Sequence, residues 1–519
     1  MTTTAYTLYL PYDGCELYTI VVLPDAKGSF PTVVMRSPYE GHHRKMTDEQ
    51  IAEMFIEDNK KWTENGFAFV FQDCRGTGKS TGDSDAFIYE RGEGLALLEW
   101  IRSCSFYNGE IYLTGGSYCG YVNFSTAPYP DDIKAAVFEA TDCNLYNFLY
   151  LNGFYRSNLH GGWYIDRYKN NGTLSKSFTP EAFLTLPMTE YSKKVFGERS
   201  ASLDEMLMHP KSDDPFWDTP MGGSFQRRAV MEARIPMLIT TGFFDIFCGG
   251  GHAMWDSLDG DVKSKSAFVV HPYHHGGGPD EQPYVFPNGQ LCELMGEFEV
   301  KWFCHVRDNT PPPVPLGKVT YYELFDNNWH TDDYRQPGSC LTLSFGEGES
   351  TYTYDPKDPA PFKGGLSNNF GGTVFMDAPG TRADVVTCYT EPFENDVHVR
   401  GKMKIRLKVK SNRTDTAFYV RIGLTKPEGD FAVRDSITQI SNASECYVPG
   451  EYIDLELIFD TSAFKILAGE RLRVDVTSSA FPLFVPHTNN RGLFTVQTEA
   501  LVAENTVDLS ESSLEVFFE

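Results

Sequence analysis

LTGGSYCGY, residues 113–121, is the stretch that decides the fold. An apolar run ends in Gly115-Gly116, a serine follows at 117, and an apolar helical pattern starts at once from Tyr118. Two glycines before a serine tolerate a sharp, strained strand-to-helix turn, which lifts the hydroxyl to the head of a helix. That is the nucleophile elbow, usually G-x-S-x-G. Here position 119 is Cys and the next Gly is Gly120, so the stretch reads as a variant.

Outward from the elbow the chain alternates strand and helix. Leu17–Leu23, Pro31–Arg36, Phe67–Gln72, Ile111–Thr114 and Ala135–Glu139 read as strands of continuous apolar character, and helical spacing covers Thr47–Asn65 and Gly94–Cys104. Buried strands separated by helices predict an α/β fold with a mostly parallel sheet. The rhythm stops between Cys143 and Ala229, an aromatic region rich in Asn and Gly. It resumes with PMLITTGFFD (236–245), SAFVVHPY (266–273) and a helix over Leu291–Val306. After Pro311-Pro312-Pro313, short alternating segments recur at Lys318–Phe325, Cys340–Ser344, Met403–Lys410, Ala417–Thr425, Tyr452–Phe459 and Arg471–Thr477. Those predict an antiparallel sandwich or jelly roll. The expected division is an α/β domain over 1–142 and 232–312, an insertion over 143–231, and a β domain over 313–519.

A nucleophilic serine needs a base, and the base needs a carboxylate to orient it. In this fold both follow the serine in chain order, at later strand ends. Asp245, after the strand in PMLITTGFFD, is the candidate acid. The candidate base lies in HPYHHGGG (271–278), where His271, His274 and His275 compete. His275, deepest in the loop, is the choice, with His274 in reserve. A metal on this histidine group lacks a spaced carboxylate or Cys partner, and no metal or cofactor is expected.

GTGKST (76–81) looks like the end of a phosphate-binding loop, but the first Gly of that motif would fall at Asp73, and no helix start follows. A net charge of −26 argues against nucleic-acid binding and against an anionic membrane surface. The eleven cysteines form no C-x-x-C pair, which fits a reducing compartment. The first residues carry neither a basic n-region nor an apolar h-region, and no apolar run is long enough to span a bilayer. The expectation is a cytoplasmic protein without a membrane or nucleic-acid partner.

Six segments in order, RSPYEG (36–41), QDCRGTGKSTG (72–82), GGSYCG (115–120), HPKSDDPFWD (209–218), TTGFFD (240–245) and VVHPYHHG (269–276), resemble the CocE/NonD hydrolases. These are the cocaine-esterase-like and α-amino-acid ester hydrolases, grouped with X-prolyl dipeptidyl aminopeptidases. VVTCYTEPFENDVHVRG (385–401) and AGERLRVDVTSSAFPLF (468–484) resemble that family's jelly roll. The resemblance implies an α/β-hydrolase domain with an inserted helical cap, followed by a C-terminal β jelly roll. It implies Ser117 as nucleophile, Asp245 as orienting acid and His275 as base. Tyr39 matches the family's oxyanion tyrosine, and the backbone N–H of Tyr118 would be the second donor. Asp73 and Arg75 would brace the loop beside the site. The sequence departs from the family pattern at His271, where Gly is usual, and at Tyr273, where Trp is usual.

The resemblance also implies that the cap closes over Ser117. Its aromatics, with those around the acid, suggest a bulky apolar pocket, for which Tyr150, Phe154, Trp163 and Phe244 are named. Glu139, Asp142 and Asp166 are candidates to hold a substrate ammonium group. The expected activity is that of a serine hydrolase of carboxylesterase or acylase type, acting on a small ester, amide or short peptide. X-Pro dipeptidyl aminopeptidase and α-amino-acid ester hydrolase are the alternatives, and a non-catalytic carbohydrate-binding protein is a distant one. Whether the chain forms a homo-oligomer stays open.

Overall fold

The computed structural model describes residues 2–39, 41–163, 180–197, 199–276, 284–289, 295–366 and 372–518. Ten strands form one sheet: β1 (Thr4–Tyr12), β2 (Cys15–Leu23), β3 (Phe30–Ser37), β4 (Ala68–Asp73), β5 (Tyr107–Gly116), β6 (Ile133–Glu139), β7 (Met237–Phe244), β8 (Ala267–His274), β9 (Val319–Glu323) and β10 (Asn328–Asp332). Their spatial order is β1-β2-β4-β3-β5-β6-β7-β8-β9-β10. From β4 through β9 neighbouring strands are parallel, while β1, β2 and β10 pair antiparallel at the edges.

The parallel strands are apolar throughout because both faces are covered. Ile111 and Leu113 of β5 point to one face and pack with Leu97, Leu98 and Ile101 of α2 (Glu90–Ser103). Tyr112 points to the other, among Ile51 and Phe55 of α1 (Asp48–Asp58), Trp62, and Trp302 and Phe303 of the Met295–Asp308 helix. The start of α1 is set locally: Thr47 and Gln50 form a capping box. The single helix expected to Asn65 breaks at Asn59, and a short turn over Lys60–Thr63 follows.

Among its described residues the segment between β6 and β7 forms short helices and a two-stranded hairpin, Tyr150–Leu151 with Phe154–Tyr155, around an aromatic core shared with Phe87, Tyr118, Tyr121 and Phe247. Beyond Asp332 the chain forms two antiparallel sheets. One centres on the long strand Ala503–Phe518, and the other comprises Val386–Tyr389, Leu472–Thr477, Ala417–Lys426 and Gly429–Gln439. The expected sandwich strand Lys318–Phe325 is instead β9: it pairs with β8 and lengthens the α/β sheet. Alternation alone does not say which sheet an edge strand joins.

The sandwich touches the sheet where it matters. Buried Arg434 donates to the carbonyl of Phe243 (2.7 Å) and to that of Thr461 (2.7 Å), and the Phe244 ring meets Phe431 edge-on. The C-terminal half thus holds the end of β7, one residue before Asp245.

Candidate active site

Ser117 follows β5 directly and caps α3 (Tyr118–Phe124) with φ +53° and ψ −128°, a backbone that L-residues avoid. Its N–H donates to the carbonyl of Glu139 (2.8 Å), and its carbonyl accepts from the Thr141 hydroxyl (2.7 Å). Two glycines make the turn sterically feasible. A Cβ on Gly115 would lie 2.5 Å from the carbonyl oxygen of Cys119, and one on Gly120 would lie 2.8 Å from the Thr141 methyl and 3.0 Å from the Gly115 oxygen. The requirement for glycine therefore falls at 120, where helix α3 crosses β5 and β6, and position 119 carries a buried Cys.

The partners come from the carboxyl ends of β7 and β8. Asp245 is the residue after β7 and is fully buried; one carboxylate oxygen accepts the Phe247 N–H at 2.7 Å. β8 carries a bulge between His271 and His274, which re-aims the strand end. The two backbones approach so closely there that a Cβ on Gly242 would meet the Tyr273 carbonyl at 2.0 Å. The bulge delivers His275. Its Nδ1 lies 3.0 Å from Asp245 Oδ2 and its Nε2 3.0 Å from Ser117 Oγ. His274 turns away, its Nδ1 against the carbonyl of His275 (3.0 Å). His271, the departure from the family pattern, is accommodated by the bare Gly242: its ring is buried, and its Nδ1 accepts the Tyr273 N–H (3.3 Å). Burial holds that ring's pKa near 4.

Burial alone would lower the pKa of His275, but the charge and hydrogen bond of Asp245, with Glu139 adding, carry it above the ordinary imidazole value. Tyr39 follows β3, and its hydroxyl donates toward Ser117 Oγ at 3.5 Å. Desolvation of that hydroxyl, then Cys119, pushes its pKa up to about 12, so it stays a donor at neutral pH. The Tyr118 N–H faces the same hydroxyl, which puts two donors on one side of Ser117. The Tyr118 phenol is anchored below: it accepts from the Phe87 N–H (2.7 Å) and donates to Glu90.

A cavity of ≈ 160 Å³ opens over the serine, lined by Tyr39, Phe87, Phe148, Leu159, Trp163 and Phe247 together with Tyr118, His160, Ser117 and His275. Of the four residues expected to form the pocket, only Trp163 lines it. Tyr150 is in the cap core, its hydroxyl on the carbonyl of Met206; Phe154 packs on Phe484 and His487 of the sandwich; Phe244 packs on Phe286 and Phe431. Aromatic composition says which segment is apolar but not where each ring points. Phe87 and His160 had no such signal. Phe87 comes from the loop after β4, at φ +71°. His160 is buried and kept neutral, its pKa near 3.

Asp142 spends its carboxylate on Asn144 and Asn147 and does not line the cavity. Glu139 lies near His275, and burial, then Glu299, raises its pKa to about 7. Asp166 lies outside the described residues.

The loop that imitates a phosphate-binding motif is tied inward. Asp73 takes His43 (2.9 Å) and the Lys79 N–H (2.9 Å), and a Cβ on Gly78 would collide with that carboxylate at 2.1 Å. Arg75 pairs with buried Glu93, which also binds Arg36. The backbone donors that would cradle a phosphate are turned onto the protein. Asp73 and Arg75 are braces, as expected.

The family profile of the X-Pro dipeptidyl-peptidase (S15 family) matches residues 13–277, just over half of the chain, and that of the X-Pro dipeptidyl-peptidase C-terminal non-catalytic domain matches 315–513. The chain belongs to the S15 family. It is a serine hydrolase of that family, built from an α/β-hydrolase domain and a C-terminal β domain of jelly-roll type. A curated relative, the cocaine esterase of Rhodococcus sp. (strain MB1 Bresler), is 23% identical over 93% of this chain and 91% of that protein. Among solved structures, an aminopeptidase from the marine sediment archaeon Thaumarchaeota archaeon superposes with TM-score 0.83 at 20% identity (100% of this chain, 96% of that one). An α-amino acid ester hydrolase gives 0.81 at 18% (100% and 97%), and a CocE/NonD family hydrolase from Staphylococcus aureus 0.68 at 14% (99% and 93%). At these identities the structural likenesses establish the fold alone. Among the described residues no helix is long and apolar enough to cross a membrane.

Proposed function

We propose that the protein hydrolyses carboxylic esters of compact, apolar acyl groups through an acyl-enzyme on Ser117. The observation that carries the reading is the unbroken line from Asp245 through His275 to Ser117, with both contacts at 3.0 Å. His275 Nε2 takes the serine proton as Oγ attacks the carbonyl carbon. Asp245 holds the Nδ1–H and stabilises the imidazolium that forms. The carbonyl oxygen, gaining charge, moves between the Tyr39 hydroxyl and the Tyr118 N–H. His275 then returns the proton to the leaving alkoxide, and the cycle repeats with water against the acyl-enzyme.

The substrate class follows from the lining. Phe87, Phe148, Leu159, Trp163 and Phe247 offer apolar surface, and the volume suits a single aromatic ring or a short branched acyl chain. Among the described residues no carboxylate lines the cavity to hold a free α-ammonium group, which favours an ester without one over an X-Pro dipeptide. The name of the Rhodococcus relative, cocaine esterase, supports the same choice. The division at 142, 231 and 312 belongs to this reading; the spans of the two family matches support it, although β9 and β10 attach to the α/β sheet in space. A cytoplasmic location is supported by free thiols among the described residues, Cys15, Cys119, Cys248 and Cys388 in the core and Cys340 and Cys446 on the surface.

The test is a fluorophosphonate probe with parallel assays on a p-nitrophenyl aryl ester, an amino-acid ester and an Xaa-Pro anilide. Labelling that vanishes in Ser117→Ala, together with a kcat/KM ordering led by the aryl ester, supports the proposal. An ordering led by the anilide overturns the substrate class, and labelling that persists in Ser117→Ala overturns the nucleophile.

A further inference from the structure

At the far end of the sheet the hairpin β9–β10 gathers groups the hydrolytic reaction does not use. Glu323 ends β9 and is almost wholly buried; Asp326 sits in the turn; His330 lies on β10 opposite Tyr321, whose ring stacks on the imidazole at 5.6 Å. Glu323 Oε2 is 3.2 Å from His330 Nε2, and Asp326 Oδ2 is 3.3 Å from the same nitrogen. The three donor atoms all lie within 4.8 Å of one another. From the sandwich, His398 Nδ1 approaches the other oxygen of Glu323 at 2.7 Å. Asn328 donates its side-chain N–H to Asp326 Oδ2 at 3.0 Å.

Hydrogen bonding alone is a poor account of this group. A neutral imidazole has at most one N–H at Nε2, shared here between two carboxylate oxygens at 3.2 and 3.3 Å, the long end of N–H···O bonds. Two carboxylate oxygens converge on that nitrogen, while the Lys465 ammonium stands 3.8 Å from the other oxygen of Asp326 and closer to Asp396, at 3.3 Å. A divalent cation answers both problems. Tetrahedral zinc, with Zn–N and Zn–O bonds of about 2.0–2.2 Å, sets neighbouring donors about 3.3–3.5 Å apart. The two measured edges are close to that.

We propose that Glu323, Asp326 and His330 form a zinc(II)-type divalent metal site that pins the β9–β10 hairpin to the sandwich. His398 would hold the free oxygen of Glu323, and Asn328 and Tyr321 would orient Asp326 and His330, the supporting role that outer groups play around metal ligands. The open side of His330 leaves the fourth position to water. β9 is four strands from β5, about 19 Å at the usual strand spacing, so the metal has no part in the chemistry at Ser117.

The experiment uses the full chain, stripped by chelator and titrated with Zn²⁺ by calorimetry, and with Co²⁺ by absorbance. One Zn²⁺ per chain is expected, with affinity falling at least about 100-fold in Glu323→Gln and His330→Ala and about 10–100-fold in Asn328→Ala. Co²⁺ should give tetrahedral d–d bands without thiolate charge transfer. Zinc should raise Tm in the parent and not in His330→Ala, with aryl-ester turnover equal in both. Glu323→Gln keeps the shape of the site, so it still reports if the alanine variant folds poorly. Absence of saturable binding, equal affinity in the parent and Glu323→Gln, or a thiolate band pointing to exposed Cys340 or Cys446 each overturns the site.

Discussion

Replacing Tyr39 with Phe removes one hydroxyl and leaves the ring. Tyr39 is 40% exposed as a residue, but its hydroxyl is desolvated and meets the Tyr118 N–H and the Trp163 side chain, so losing the oxygen unpairs those groups and should cost about 1–3 kcal/mol of stability. In the resting structure the hydroxyl contacts Ser117 Oγ only at 3.5 Å, a weak bond whose loss barely disturbs the serine. In the transition state the same hydroxyl faces an oxyanion, in a site that water has left. One such donor is worth about 2.7–4 kcal/mol, so kcat should fall about 10²–10³-fold while KM holds. With its pKa near 12, Tyr39 remains protonated across the assay range, and the shape of the pH–rate curve should not change. Stopped-flow release of p-nitrophenol separates acylation from deacylation, and both should slow, because each passes through a tetrahedral oxyanion. A kcat within twofold of the parent, or an effect confined to KM, would show that Tyr39 contacts bound substrate rather than the developing charge.

Three further outcomes follow from the same geometry. His275 must be neutral to accept the serine proton, and its pKa is raised by Asp245, so the acid limb of kcat/KM should lie above 6.5; Asp245→Asn should move that limb down and cost about 10⁴-fold in kcat, and a limb that stays put would remove Asp245 from its role. Ser117→Gly should be more stable than Ser117→Ala by roughly 1 kcal/mol, since glycine relieves about 1–3 kcal/mol of strain at φ +53° against about 0.4–1 kcal/mol of chain entropy; equal denaturation midpoints would mean the elbow is not strained. Gly120→Ala puts a methyl 2.8 Å from that of Thr141 and should lower both Tm and turnover, and adding Thr141→Ser, which keeps the hydroxyl on the Ser117 carbonyl, should recover part of each; no recovery would place the clash on the Gly115 carbonyl instead.

What could be read in advance was local or topological. The elbow lies within six residues, from Gly115 to Gly120, and its glycines are required by contacts inside that span and with the next strand. Asp245 and His275 were legible because a parallel sheet delivers every strand end to the same edge, so a residue one step past β7 and one step past β8 must arrive beside the residue one step past β5. Chain order and apolar runs suffice for that.

Other features depend on partners distant in sequence. Strand Ala503–Phe518 carries no clear strand signal because NTVDLSESSLEVFF breaks its alternation, and its pairing with Ser339–Ser344, Glu349–Tyr354 and Lys404–Ser411 is what makes it a strand. The assignment of β9 to the α/β sheet depends on β8 offering a free edge. The cavity is decided in the same way: Tyr150, Phe154 and Phe244 are as aromatic as Phe87, Phe148 and Phe247, and only the packing of cap on sheet and of sandwich on cap sets which rings face Ser117. By itself, then, the sequence determined which side chains meet at the elbow, because backbone turns and strand ends are encoded in neighbouring residues. Tertiary structure decided the pocket and the clustering of Glu323, Asp326, His330 and His398, because hydrophobic burial is non-directional and gives no ring its orientation until the surrounding surfaces close.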